Sequence, residues 1–364
     1  MPIAADLVWH PLVPEGAGNR QRILALATHG TDVAVHVVGP GAAPPCLLHR
    51  FTEVTPWRPR WRFPWFNPDV LGFLHPASRA RMAAAAVAVH PDVVVSEGLW
   101  SVPASRAASL HRCPMVVTVN NIEHLVLARR GERGWASVVR LIERQWYAQA
   151  DHLIVVSAYD RERLRWLLGR SCPPLDVVPN GVDLPPPGVI PADLPHPNIV
   201  FLGKTDYPPN ADAIRVVEHE WLPAARARGI VAAGVIVGGP AQPGARGSLV
   251  FTGYVEDMWP LLAAADVCVA PLRAGSGTRL KILAYLAAGK PVIATRIAIE
   301  GLGLEPMTHY LPAESGDEFA KELVRLRENP GLVADLAGHG FEFASKHSWS
   351  AIAQQWCKVI HATV

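Results

Sequence analysis

The stretch "ADVCVAPLRAGSGTRLKILAYLAAGKP" (Ala265–Pro291) joins an apolar run, a loop of small residues and an apolar helix that carries Arg279 and Lys281 near its start. The run Ala265–Leu272 is apolar enough to be buried on both faces, as a strand of a parallel sheet must be. A glycine loop, Gly275–Thr278, leads from that strand into the helix. Such a loop presents free backbone N–H groups and the positive end of a helix dipole, where an anion can sit. Two basic side chains beside it predict a phosphate site. Residues two apart do not share a helix face, so Arg279 and Lys281 can both reach one anion only if the helix begins at about Arg279.

Outward from this stretch, apolar strands alternate with helical segments along the whole chain, the pattern of doubly wound parallel α/β sheets. In the first half strands are predicted at "ADLVWHPL", "DVAVHVVG", "PDVVVSE", "PMVVTVN", "DHLIVVS" and "LDVVPN", with helices over residues 20–29, 78–90 and 135–149. The proline-rich run from Asp183 to Asn198 reads as a linker, because proline stiffens the chain and removes donors. The alternation then restarts with "NIVFLG", a helix over about 210–228, "GVIVGG", "LVFTG" and "ADVCVAPL". A chain of 364 residues exceeds one ordinary core, so two domains are expected.

Composition narrows the function. Half the residues are hydrophobic and 18% are charged, which fits a well-buried globular protein. A formal net charge of +2 gives no support to a nucleic-acid partner. The five cysteines are scattered and form no C-x-x-C pair, so they read as reduced thiols without a zinc site or disulfide framework. No apolar run reaches the length of a membrane span, and the start lacks a basic flank and cleavage site. A soluble cytoplasmic protein is expected.

Two further segments bear on binding. "VPEGAGNRQRILALATHG" places Gly16 and Gly18 in a loop after the first strand, where a ligand can approach the backbone closely, although the dinucleotide fingerprint is incomplete. Thr55–Met82 interleaves Trp57, Trp61, Phe63, Trp65 and Phe66 with Arg58, Arg60 and Arg62, and its prolines forbid a continuous helix. It reads either as a surface loop packed back on its domain or as a loop that recognises an acceptor or a membrane surface.

The string from Phe251 to Leu302 resembles the donor-binding half of GT-B glycosyltransferases, particularly glycosyltransferase family 4. "FLGKTDYPPNADAI", "VNNIEHLVLARR", "LIERQWYAQADHLIVVSAYDRERL", "VVPNGVD" and "SKHSWSAIAQQW" are similar to that family's landmarks, in its order. The resemblance implies two Rossmann-like doubly wound domains facing a central cleft. They are an acceptor-binding domain over 1–183 and a donor-binding domain over 184–345, with a final helix over 346–364 crossing back to the first. It implies a nucleotide-sugar donor and no metal, since Arg279 and Lys281 would neutralise the diphosphate, aided by the backbone of Gly277 and Thr278 and by Lys204. Tyr254 and Val255 would meet the base, with Ser276 and Glu300 completing the donor site.

The sequence departs from the family at two positions. The family's Glu-x7-Glu pair falls on Ser276 and Ala284, which removes a charged ribose acceptor worth roughly 1.5–3 kcal/mol. Asn120 stands where relatives show a His, and it can bond a sugar hydroxyl but cannot carry a proton. Glu97, at the end of a strand, joins Glu123, His124, Trp61 and Trp65 as acceptor-side candidates. The reading is a retaining glycosyltransferase with catalytic Arg279, Lys281 and Asn120. Its acceptor is a small molecule, saccharide or lipid-linked hydroxyl, and peripheral membrane contact is allowed. The alternatives are a non-catalytic partner of another transferase and a sugar-nucleotide epimerase.

Overall fold

The computed structural model describes residues 1–8, 18–42, 44–47, 49–55, 74–110, 113–274 and 278–364. The chain divides into two compact units, Met1–Asn180 with Trp349–Val364, and Gly181–Ser348.

In the first unit a seven-stranded sheet forms from β1 (Ile3–Leu7), β2 (Ala34–Gly39), β3 (Phe51–Glu53), β4 (Val93–Glu97), β5 (Met115–Val119), β6 (His152–Val155) and β7 (Leu175–Val177). Its order is β3-β2-β1-β4-β5-β6-β7, with every pairing parallel. β4 and β5 are buried along their whole length, which explains their unbroken valine-rich sequences. The helices are α1 (Gly18–His29), α2 (Pro76–Val87), α3 (Val102–Ser109), α4 (Glu123–Arg129), α5 (Arg133–Tyr147) and α6 (Ala158–Leu168). Gly18, expected in a loop, is the first residue of α1, a position that tolerates glycine because its N–H needs no partner within the helix.

The second unit holds β8 (Asn198–Leu202), β9 (Ala233–Val237), β10 (Gly244–Arg246), β11 (Leu249–Gly253), β12 (Val267–Ala270), β13 (Val292–Ala294) and β14 (Leu311–Pro312). The order is β10-β11-β9-β8-β12-β13-β14, parallel except for the β10–β11 pair. The helix expected over 210–228 forms as α7 (Pro208–Val216), a π turn (Val217–Trp221) and α8 (Leu222–Ala227). There follow α9 (Trp259–Ala263), α10 (Leu280–Ala287), α11 (Arg296–Ile299), α12 (Gly316–Glu328) and α13 (Pro330–Lys346).

The segment read as a linker forms no helix or strand over 183–197, yet it is not a free spacer. Val189 and Leu194 pack on the core of the second unit, and the Ala192 amide donates to the Pro260 carbonyl at 2.9 Å. The last helix, α14 (Trp349–Thr363), belongs to the first unit and lies against α1. The contact is close: a Cβ on Gly30, just past α1, would stand 3.3 Å from Cys357 Sγ of α14. Among the described residues no helix is long and apolar enough to cross a membrane.

Candidate functional site

In both sheets the strand order reverses once, between β1 and β4 and between β8 and β12. Ligands of open parallel sheets bind at the carboxyl ends of the strands flanking such a reversal. The chemistry-bearing residues gather at these two places.

In the second unit, Arg279 is the N-cap of α10 in an extended conformation (φ −91°, ψ 100°), and Lys281 is the second residue inside. The helix therefore starts where both cations can serve one site. The Lys281 ammonium lies at the end of β8, since a Cβ on Gly203 would stand 2.9 Å from its Nζ. It donates to Asn210 Oδ1 at 2.8 Å and sits 4.0 Å over the Phe201 ring. Asn210 is a brace with two ends, because its Nδ2 donates to the Lys204 carbonyl at 2.9 Å. Burial, and then the charge of Arg279, pull the Lys281 pKa down to about 7. Arg279 itself is buried. A bound anion would offset both causes of the Lys281 shift.

Around this pair lie other carboxyl-end residues. Lys204 is exposed and 3.8 Å from Asp206. Tyr254 is exposed at the end of β11, where the backbone of Gly239 comes so close that an added Cβ would be 3.3 Å from Tyr254 Cβ. Val255 packs on the core, Thr278 directly precedes the α10 cap, and Glu300 is the C-cap of α11 after β13. Ala284 is buried within α10. Its neighbour Tyr285 uses its hydroxyl to accept from the Leu202 amide at 2.7 Å and to donate to the Val269 carbonyl at 3.3 Å. Gly16, Ser276, Gly277, Trp61 and Trp65 lie outside the described residues.

In the first unit, Glu97 and Asn120 come together at the ends of β4 and β5, where Asn120 Nδ2 donates to Glu97 Oε2 at 2.9 Å. Sequence reasoning missed their neighbours. Asp6 of β1 and Arg22 of α1 are both buried, and Arg22 Nη1 donates to the Pro179 carbonyl at 2.7 Å and to Asn180 Oδ1 at 3.1 Å. Burial and the charge of Glu97 raise the Asp6 pKa well above the usual carboxylate value. Burial raises Glu97 too, against the pull of Arg22 and of its hydrogen bond from Asn120. Burial lowers the Arg22 guanidinium to about 10, although both carboxylates favour its charge. A signal was present: Arg22 falls four residues before Leu26 on the buried face of α1, a basic residue in an apolar stripe.

Glu123 and His124 open α4 and meet Glu143, a fully buried carboxylate of α5 that the sequence reading did not single out. Glu143 Oε1 accepts from the Glu123 amide at 2.6 Å, and Oε2 pairs with His124 Nδ1. Burial, followed by the charge of Glu143, raises the Glu123 carboxyl to about 7.

Comparison with known proteins follows the same division. Residues 14–185 match the model described as Glycosyltransferase Family 4, and residues 196–329 match that described as Glycosyl transferases group 1. A phosphatidyl-myo-inositol mannosyltransferase of Mycobacterium leprae (strain TN) is 27% identical over 242 residues. That alignment spans 61% of this chain and 62% of the relative's length. Among solved structures, sucrose-phosphate synthase from Thermosynechococcus elongatus has a TM-score of 0.76 at 18% identity, covering 100% of this chain and 99% of the other. Anabaena HepE, solved with UDP and glucose, has a TM-score of 0.71 at 17% identity, with both chains covered completely. With successive family models matched over both of its Rossmann-like units, the chain belongs to the family 4 glycosyltransferases of GT-B fold.

Proposed function

We propose that the chain is a retaining glycosyltransferase that moves a sugar from a nucleoside-diphosphate sugar to a hydroxyl of a small-molecule, saccharide or lipid-linked acceptor. The observation that carries this reading is Lys281 at the β8–β12 reversal, beside Gly203 and next to Arg279 at the helix cap. HepE was solved with UDP and glucose, and the mycobacterial relative is a mannosyltransferase, which supports a nucleotide-sugar donor here.

In the proposed step the bond between the anomeric carbon and the diphosphate oxygen breaks as the acceptor oxygen bonds to the same carbon from the same face. The acceptor proton passes to the leaving phosphate oxygen. Negative charge grows on the diphosphate, and preorganised Arg279 and Lys281 stabilise it more in the transition state than in the ground state. They do the work a divalent cation would otherwise do. On the acceptor side, the Glu97–Asn120 pair would hold and orient the hydroxyl.

Ala284 favours a second reading, a GT-B partner without its own activity, because it leaves the ribose without the family's carboxylate. Thermal stability against UDP, GDP, dTDP, ADP and CDP separates the two. A nucleotide at about a hundred times its dissociation constant should add roughly 2.7 kcal/mol. Product should then form from the matching nucleotide sugar. If none of the five nucleotides shifts the stability of a protein that folds normally, the non-catalytic reading becomes the better one.

A further inference from the structure

Four large apolar side chains stand exposed on two adjacent helices of the first unit. Trp135, Val138 and Leu141 lie on α5, Leu141 being 68% exposed, and Trp166 on α6 is 72% exposed. Val138 and Leu141 face away from the buried Ala136, Val139, Glu143 and Tyr147, whereas Trp135 stands at the flank of that buried face. The Arg140 guanidinium stacks 5.0 Å over the Trp166 ring and joins the two helices into one surface.

The charge of this surface is mainly positive. Arg133, Arg140 and Arg144 fall at i, i+7 and i+11, a single stripe along the flank of α5 where Arg140 meets Trp166, and exposed Arg163 adds a cation on α6. Among the described residues Arg133, Arg140, Arg144 and Arg163 have no carboxylate partner, and exposed Glu162 is shared by Arg161 and Arg165. Apolar groups of this size rimmed by cations remain in water at a cost unless something covers them.

We propose that the outer face of α5 and α6 docks on an anionic lipid surface. Tryptophan, valine and leucine side chains can enter the boundary between headgroups and acyl chains, while arginines beside them meet lipid phosphates. A second copy of the chain fits less well, because an isologous contact would set each arginine stripe against its own kind. The proposal is independent of the sugar-transfer reading.

The test is flotation of the full chain with vesicles of phosphatidylcholine alone and with vesicles that also contain phosphatidylglycerol. Binding is expected on the anionic vesicles only, weakening as salt rises. Each arginine near such a surface contributes about a five-fold factor, so Arg133→Gln/Arg140→Gln/Arg144→Gln should bind roughly a hundred-fold more weakly. Leu141→Ser/Trp166→Ser, changed at exposed positions only, should also lose binding with its melting temperature kept. Equal binding to both vesicle types, or wild-type binding by the triple variant, overturns the proposal. So does sedimentation as a dimer that Leu141→Ser/Trp166→Ser dissociates, without vesicle binding, which would assign the face to a second copy.

Discussion

Lys281 and Asn210 hold one another at the end of β8, the ammonium donating to Asn210 Oδ1 at 2.8 Å while Asn210 Nδ2 ties the Lys204 carbonyl. The lysine is thus fixed in place before any ligand arrives, which is what electrostatic preorganisation requires. A hydrogen bond to a charged group is worth about 1.5–3 kcal/mol. Lys281→Met should therefore weaken nucleoside-diphosphate binding roughly ten- to a hundred-fold in calorimetry. Asn210→Ala should act in the same direction through the lysine's position, and wild-type affinity in both variants would remove Lys281 from the site.

The lowered pKa of Lys281 gives a second test. Its value of about 7, against an ordinary 10.5, means the ammonium is largely deprotonated at pH 8.5 in the free protein. A bound diphosphate restores its charge, so binding at pH 8.5 should take up close to one proton. At pH 6 the lysine is already charged, and uptake by Lys281 should fade. Calorimetry in buffers of different ionisation enthalpy reads the number directly. The linkage for stability has the matching sign: the unfolded chain binds the extra proton between pH 7 and 10.5, so this group makes the free protein more stable as pH rises through that window.

Gly203 tests the close approach itself. A methyl group there would lie 2.6 Å from Asn210 Nδ2 and 2.9 Å from Lys281 Nζ. Gly203→Ala should displace the pair and lower nucleotide affinity by about the same factor as removing the lysine. Unchanged affinity would mean that the ammonium is not where the ligand binds.

The placement of Arg279 and Lys281 at the start of α10 was legible in the sequence because it is local: an apolar strand, a glycine loop and a helix start lie within a few residues of one another. β10 (Gly-Ala-Arg) and β14 (Leu-Pro) are three and two residues long and lie in no apolar run that would mark them as strands. Asn210 and Glu143 were not legible for a different reason. Each is polar on a helix that reads as ordinary, and only the fold brings Asn210 to a lysine 71 positions away and Glu143 to the Glu123 amide 20 positions away. Asp6 was not singled out within its strand, and its meaning comes from the β1–β4 pairing that sets it beside the strand of Glu97.

Glu123 yields a pH prediction of opposite sense. Its carboxyl is raised from an ordinary 4.5 to about 7 by burial and by Glu143, so ionising it costs the folded state. The native protein holds the extra proton between pH 4.5 and 7, and this group's relative stabilisation is complete below 4.5 and lost as pH rises through 7. Glu123→Gln keeps the shape without the charge. Its melting temperature should exceed that of wild type at pH 8 and converge with it near pH 4.5. A constant difference at both would show that the carboxyl ionises there without cost.

Arg22 acts on the buried carboxylates Asp6 and Glu97 and also ties down the Pro179–Asn180 segment after the first unit's last strand, and the two roles can be separated. Removing one partner of a buried charge cluster typically costs about 3–5 kcal/mol. If the cost of Arg22→Met comes from leaving Asp6 and Glu97 without their cation, it should shrink at pH 5, where the two raised carboxyls are more readily protonated. Adding Asp6→Asn should then recover part of it. If instead it comes from losing the bonds to the Pro179 carbonyl and Asn180, the deficit in urea unfolding should be the same at pH 5 and pH 8, and Asp6→Asn should recover nothing. The charge account predicts the first pattern, because Asp6 and Glu97 both act electrostatically on the Arg22 guanidinium.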